Sequence, residues 1–151
     1  MIYFLDSSGL VKRYVNEAGS EWMRQNIFSG NHTLFIAQIT AIKVMSAIYR
    51  KHREGVYNDR TVEAMRIWLE RHLRQNYQQA PLNPIIIKQA QALLKQYPLR
   101  AYDSVQLATA LYINNGVQQI PNERFVFVTS DAKLYEFAVN EGLIAINPQK
   151  L

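Results

Sequence analysis

Met1-Ile2-Tyr3-Phe4-Leu5-Asp6-Ser7-Ser8 opens the chain, and its reading decides the fold. Four residues, 2–5, form a short apolar run that ends abruptly on a carboxylate. A second run, Phe125-Val126-Phe127-Val128-Thr129-Ser130-Asp131, does the same far downstream. Continuous apolar runs this short suit strands of a parallel sheet buried on both faces. In an open parallel sheet, ligands bind beyond the carboxyl ends of the strands, which is where both aspartates fall. Neighbouring carboxylates repel unless a proton or cation lies between them. Paired aspartates at strand ends therefore point to a hard-metal site, with Mg²⁺ or Mn²⁺ the usual occupants.

Outward from these runs, strand and helix signals alternate, giving an α/β fold with a central parallel sheet of about four to five short strands flanked by helices. Leu34-Phe35-Ile36-Ala37 reads as a second strand and Leu143-Ile144-Ala145-Ile146 as a last one. Helices are expected from Ser20, as cap, to about Phe28, from Thr40 to Arg53 and after Asn58 or Asp59. Others are expected from Asn83-Pro84 to about Gln96, from near Asp103 to Asn115 before Gly116, and from Ala132 to Asn140. Ile42, Met45, Ile48 and Tyr49 form a core-facing stripe on the second of these, and Val62, Met65, Trp68, Leu69 and Leu73 on the third. Pro81 and Pro84 bracket a loop. At 151 residues, with no internal repeat or linker, residues 1–151 read as a single domain.

Composition narrows the function classes. The chain has no cysteine, which excludes disulfides, thiolate chemistry and cysteine-based zinc sites. No apolar run approaches the roughly 20 residues that span a bilayer. No basic region precedes the first apolar run, so a signal peptide is not expected and the reading is cytosolic. A net charge of +5 is compatible with a polyanionic partner and equally with none.

A third carboxylate lies in Leu99-Arg100-Ala101-Tyr102-Asp103-Ser104-Val105-Gln106-Leu107-Ala108-Thr109-Ala110. Asp103 falls in the first turn of a helix, where an aspartate is often only a cap. Asp6 and Asp131 likewise have ordinary readings as turn residues after strands. Together the three motifs, with Leu10-Val11-Lys12 after the first, resemble the PIN-domain family, and within it the VapC toxins of type II toxin–antitoxin systems. The resemblance covers essentially the whole chain. It implies a ribonuclease in which about four acidic residues hold one or two Mg²⁺ or Mn²⁺ ions. Asp6, Asp103 and Asp131 match three of those acids as metal ligands. Ser8 matches a hydroxyl supporting the first, and Thr129 with Ser130 matches the hydroxyl step before the last. In such a site the metal lowers the pKa of a bound water and offsets charge developing on the phosphate. The resemblance further implies an RNA substrate, a homodimer, and a cognate antitoxin whose tail fills the groove.

The remaining acid of the pattern, a glutamate in relatives, falls on Lys43 in Gln38-Ile39-Thr40-Ala41-Ile42-Lys43-Val44. Read alone, Lys43 is an ordinary solvated lysine. Read with the family, it points into the acidic cluster, where it is expected to pair with Asp6 or Asp103 and oppose a metal. Unit charges about 4 Å apart interact by roughly 4 kcal/mol at an effective dielectric of about 20. Glu54, three turns on, is too far to replace the missing acid. The expectation is a PIN-like ribonuclease that binds metal weakly and cuts poorly, with a non-catalytic RNA- or antitoxin-binding protein as the alternative. A phosphatase or receiver-type domain is a third reading, but its phospho-accepting aspartate has no counterpart here. Lys12, Arg13 and Arg100 lie nearest the motifs and are the substrate-contact candidates; Arg50, Lys51, His52 and Arg53 suit a solvated helix end as well as RNA phosphates. His32, His52 and His72 show no ligand spacing.

Overall fold

The computed structural model describes residues 1–151. Five strands, β1 (Ile2–Leu5), β2 (Thr33–Ala37), β3 (Tyr77–Ala80), β4 (Phe125–Val128) and β5 (Ala145–Ile146), form one sheet in the order β3-β2-β1-β4-β5. Every pairing is parallel. The strand order turns back between β1 and β4, so the crevice of this open sheet lies beyond the carboxyl ends of those two strands. Leu5 stands opposite Val128 in the register, which places Asp6 beside Thr129.

Side chains alternate across the sheet and feed two cores. Phe4, Phe125 and Phe127 pack with Ile86, Leu93, Leu107, Leu111 and Leu134 on one face. These come from α5 (Pro84–Gln96), α6 (Ala101–Val117) and α7 (Ala132–Asn140). Leu5, Leu34, Ile36 and Val128 turn to the other face and meet Leu10, Met23, Val44, Ile48 and Leu69. That layer holds α1 (Ser7–Leu10), α2 (Ser20–Met23), α3 (Thr40–Arg53) and α4 (Asp59–Gln75). No helix is long and apolar enough to cross a membrane.

Several local expectations are corrected. Strand β3 lies where a helix was expected to run out into a loop. Its sequence, Tyr-Gln-Gln-Ala, carries little apolar signal, and pairing with β2 defines it. Ser20 does not cap α2: its hydroxyl donates to the Val15 carbonyl and accepts from the Glu17 N–H, while Gly19 takes the cap position at φ 84°. A π-helical turn, Arg24–Phe28, continues that segment. Helix α6 starts at Ala101, and Gly116 lies inside it rather than beyond its end. Only Ala145–Ile146 of the last apolar run pairs as strand.

The apolar stripes hold in the main, with Ile48, Val62, Met65 and Leu69 in the core and Met45 and Leu73 packed against it, but three members face outward. In α3, Thr40, Val44 and Ile48 are buried, whereas Ile42 is 72% exposed and Tyr49 also faces outward. In α4, Val62, Met65 and Leu69 are buried while Trp68 is 58% exposed. A contrast in stability follows. Phe4 is fully enclosed and stacks on Phe127 with ring centroids 5.8 Å apart, so Phe4→Ala is expected to cost about 3–5 kcal/mol in urea unfolding. Ile42→Ala should change stability by about 0.5 kcal/mol or less. Equal losses would show that the burial of α3 is misassigned.

Candidate active site

Asp6 is the best-anchored group of the crevice. It ends β1 in extended backbone and caps α1, taking the Gly9 N–H on Oδ1 at 2.8 Å. Ser8 Oγ donates to the same oxygen at 2.6 Å, and Thr129 Oγ1 donates to Oδ2 at 2.7 Å. Gly9 is small for a reason: a Cβ there would lie 3.1 Å from the Val128 carbonyl, so α1 can settle against the end of β4. The serine and threonine pass the order onward. Ser130 N–H donates to Ser8 Oγ at 2.7 Å, and Asp131 N–H donates to Thr129 Oγ1 at 3.1 Å. Ser8 and Thr129, singled out in the sequence, thus brace Asp6 from both strands.

The other two aspartates stand nearby with different environments. Asp131 caps α7, its Oδ1 accepting from Leu134 N–H at 2.9 Å. Asp103 is half-buried in the first turn of α6, where the helix dipole favours its charge. Arg100, Asp103, Asp131 and Lys133 line one small cleft of about 110 Å³. Burial is the main cause holding the Asp103 carboxyl above its usual range; repulsion from Asp131 adds to it, and Arg100 and Lys43 oppose it. Burial likewise pushes Asp6 up to about 6, against its three hydrogen bonds, with Asp103 adding a little. Asp103 therefore links the other two, repelled by Asp131 and itself acting on Asp6.

They do not converge on one point. No group of three or more Asp, Glu or His side chains in the structure is placed to hold a metal ion. Asp6 has both oxygens engaged, and Asp131 spends one on its helix cap. As arranged, the residues do not fit a three-carboxylate metal site.

Lys43 corrects the expected ion pair. It is exposed on α3 and forms no salt bridge with Asp6 or Asp103; its ammonium lies over the Tyr102 ring, 5.1 Å from the centroid. Lys43 lines a second cleft of about 240 Å³ with Ser7, Ser8, Val11, Glu17, Val44 and Ala47. At this exposure its field on the carboxylates is closer to the bulk-water figure of about 1 kcal/mol at 4 Å than to the fourfold larger value expected from sequence.

Of the substrate-contact candidates, only Arg100 lines the acidic cleft. Lys12 is fully enclosed, its Nζ donating to Glu17 Oε1 and the Ala18 carbonyl, both at 2.7 Å. A buried ammonium stays charged only when paired in this way, so Lys12 is committed to structure. Arg13 turns to the opposite side, donating to Tyr77 Oη at 2.8 Å with its guanidinium over Phe28 and Tyr77. Sequence reasoning missed Tyr102 and Gln106. Gln106, fully buried, donates through Nε2 to Tyr102 Oη at 2.8 Å and to Thr40 Oγ1 at 2.9 Å. It fixes the ring on which Lys43 rests, and the adjacency of Tyr102 to Asp103 was the only signal available.

Because burial lifts the folded Asp6 carboxyl to about 6, above the ordinary aspartate range, folding favours its protonated form. Below about pH 4 the shift carries no penalty, and the penalty grows to its full size above about pH 6, roughly 3 kcal/mol as an order of magnitude. Asp6→Asn removes this titration. The stability of wild type relative to Asp6→Asn is therefore expected to fall between pH 4.5 and 7.5, measured by urea midpoints; a constant gap would contradict the desolvated carboxylate.

With this geometry in place, comparison with known proteins bears on the fold. No family model and no curated protein matches the chain. Solved structures do. A chain of a toxin–antitoxin complex from Klebsiella pneumoniae is 18% identical, with 97% of each chain covered and a TM-score of 0.64. FitAcB from Neisseria gonorrhoeae is 17% identical over 100% of both chains, at a TM-score of 0.67. VapBC2 from Rickettsia felis, bound to a DNA fragment from their promoter, is 16% identical over 97% of this chain and 98% of that chain, at 0.66. At these identities the likeness establishes the architecture alone: the chain shares the PIN-like α/β fold of these structures.

Proposed function

We propose that this chain is the toxin component of a toxin–antitoxin pair, an endoribonuclease by descent whose phosphodiester-cleaving site is weakened by Lys43. The observation that carries the reading is the Asp6 carboxylate, held by three donors at the strand crossover and electrostatically coupled to Asp103 across the crevice. Burying a carboxylate costs several kcal/mol unless something uses or compensates it. Perturbed carboxylates clustered in a crevice are the usual mark of a functional centre.

On this reading the ancestral cofactor is Mg²⁺ or Mn²⁺, the ions that suit hard oxygen ligands, although the carboxylates as arranged do not form a three-ligand site. The arrangement supports weak binding at most, because the carboxylates do not converge, Asp6 has both oxygens engaged, and Lys43 and Arg100 already partly neutralise Asp103. Arg100 and Lys133, lining the cleft beside the two aspartates, are suited to hold phosphate groups of an RNA strand. An antitoxin partner fits the company the fold keeps, two of the three compared structures being described as toxin–antitoxin or VapBC assemblies. A homodimer and a cytosolic setting complete the proposal.

The absence of a three-carboxylate metal site favours a second reading, in which the same fold serves as a non-catalytic RNA- or antitoxin-binding protein. A panel of labelled RNAs, incubated with Mn²⁺ or Mg²⁺, separates the two. Lys43→Glu is expected to cut at least tenfold faster than wild type, since it exchanges a positive for a negative charge beside the cleft. If neither protein cuts any RNA while both remain folded, the nuclease reading fails and the binding reading replaces it.

A further inference from the structure

A groove of about 510 Å³ runs between the start of the chain's helical layer and α4, lined by Tyr14, Asn16, Tyr57, Arg60, Thr61, Ala64, Met65 and Trp68. Three aromatic rings and a guanidinium face it, and no carboxylate lines it. Trp68 is 58% exposed there, a large apolar surface left in water on a helix whose opposite side is core. Tyr14 is preset as one wall. Its hydroxyl is held by His72 Nδ1 at 2.9 Å and Tyr77 Oη at 3.2 Å, so the ring loses little freedom when something packs on it.

Arg60 is the groove's one charged lining residue, and two further arginines lie close to it in sequence. Arg50 and Arg53, at the end of α3, and Arg60, in the first turns of α4, are exposed and form no ion pair. The acids in this stretch are already engaged: Glu54 with Lys51, Asp59 with His52, and Glu63 with Arg66. An exposed indole beside two part-buried tyrosine rings and a free guanidinium has the composition of a single-strand stacking platform: π-faces take bases and cations follow the phosphates. The short stretch from Asp6 through α1 to Tyr14 connects this groove to the acidic crevice.

We propose that the Tyr14–Tyr57–Trp68 groove binds single-stranded RNA by base stacking, with Arg60, Arg53 and Arg50 on its phosphates, and so holds substrate strand outside the acidic crevice. The proposal rests on the reading of the chain as an RNA-directed protein and adds a location and a single-strand preference to it.

Binding of a labelled single-stranded RNA and of the same sequence as a duplex, in EDTA to prevent cleavage, tests it on the full chain. Trp68→Ala is expected to weaken single-strand binding roughly five- to a hundredfold. Trp68→Phe should retain most of it, and Ile42→Ala, exposed but outside the groove, should change nothing. Wild-type binding unaffected by Trp68→Ala and Tyr57→Ala overturns the groove while leaving the RNA-directed reading intact. Equal loss for single strand and duplex overturns stacking. No RNA binding by wild type removes both. Quenching of Trp68 fluorescence by an acidic amphipathic peptide and not by RNA assigns the groove to a protein partner instead.

Discussion

The parallel pairing of β1 with β4 is the constraint on which the rest depends. It sets Leu5 opposite Val128 and so lays Asp6 against Thr129, two residues 123 apart in sequence. Without that register the Asp6 carboxylate would be a buried charge with only its local donors, Ser8 and the Gly9 amide. With it, both oxygens are satisfied and the cost of burial falls to a level the fold sustains. The same contact orients Ser8 onto the Ser130 amide and Thr129 onto the Asp131 amide. One strand pairing thereby organises both strand-end turns of the crevice, residues 6–9 and 129–131.

The start of α6 is placed by packing together with one polar tie. Leu107 and Leu111 bury against Phe4 and Phe127 in one core, and the helix N-terminus then projects Asp103 toward the crevice. Gln106 locks Tyr102 to Thr40 of α3, tying the layers on opposite faces of the sheet together beside the site. Lys43 rests on that locked ring. Its position is therefore determined by an aromatic surface and not by the carboxylates it was expected to meet. A lysine in this place supplies local positive charge without closing the crevice by a salt bridge.

The strands carrying Asp6 and Asp131 were legible in the sequence because continuous apolar runs ending on aspartate have few other readings. Helices with a cap signal, such as Asn83-Pro84, were legible for the same reason; both Asn83 and Asn58 do cap their helices. Edge strand β3 was not, since its glutamines carry no period and only the neighbouring strand defines it. Orientation was legible for Ile48, Val62, Met65 and Leu69 and failed at the flanks of the stripes. Ile42 and Trp68 share helical spacing with core residues, yet a four-residue apolar ladder does not say which flank of it faces the sheet. Lys12 shows the limit most clearly. Its charge suggested a phosphate contact, but the turn at Glu17 and Ala18 folds back over it, a tertiary event with no local signature. Tyr14 and His72 similarly meet only through the packing of the chain's first helical turns on α4.

The central proposal is that the acidic crevice is a weakened nuclease site in which the charge of Lys43 adds to the imperfect convergence of the carboxylates in opposing a divalent ion. Anomalous diffraction from crystals soaked in Mn²⁺, for wild type and Lys43→Glu side by side, addresses it most directly. The account predicts a Mn²⁺ peak beside Asp103 and Asp131 in Lys43→Glu and none at the same Mn²⁺ concentration in wild type. A well-ordered Mn²⁺ in the wild-type crevice, with Lys43 still lying over Tyr102, would contradict it.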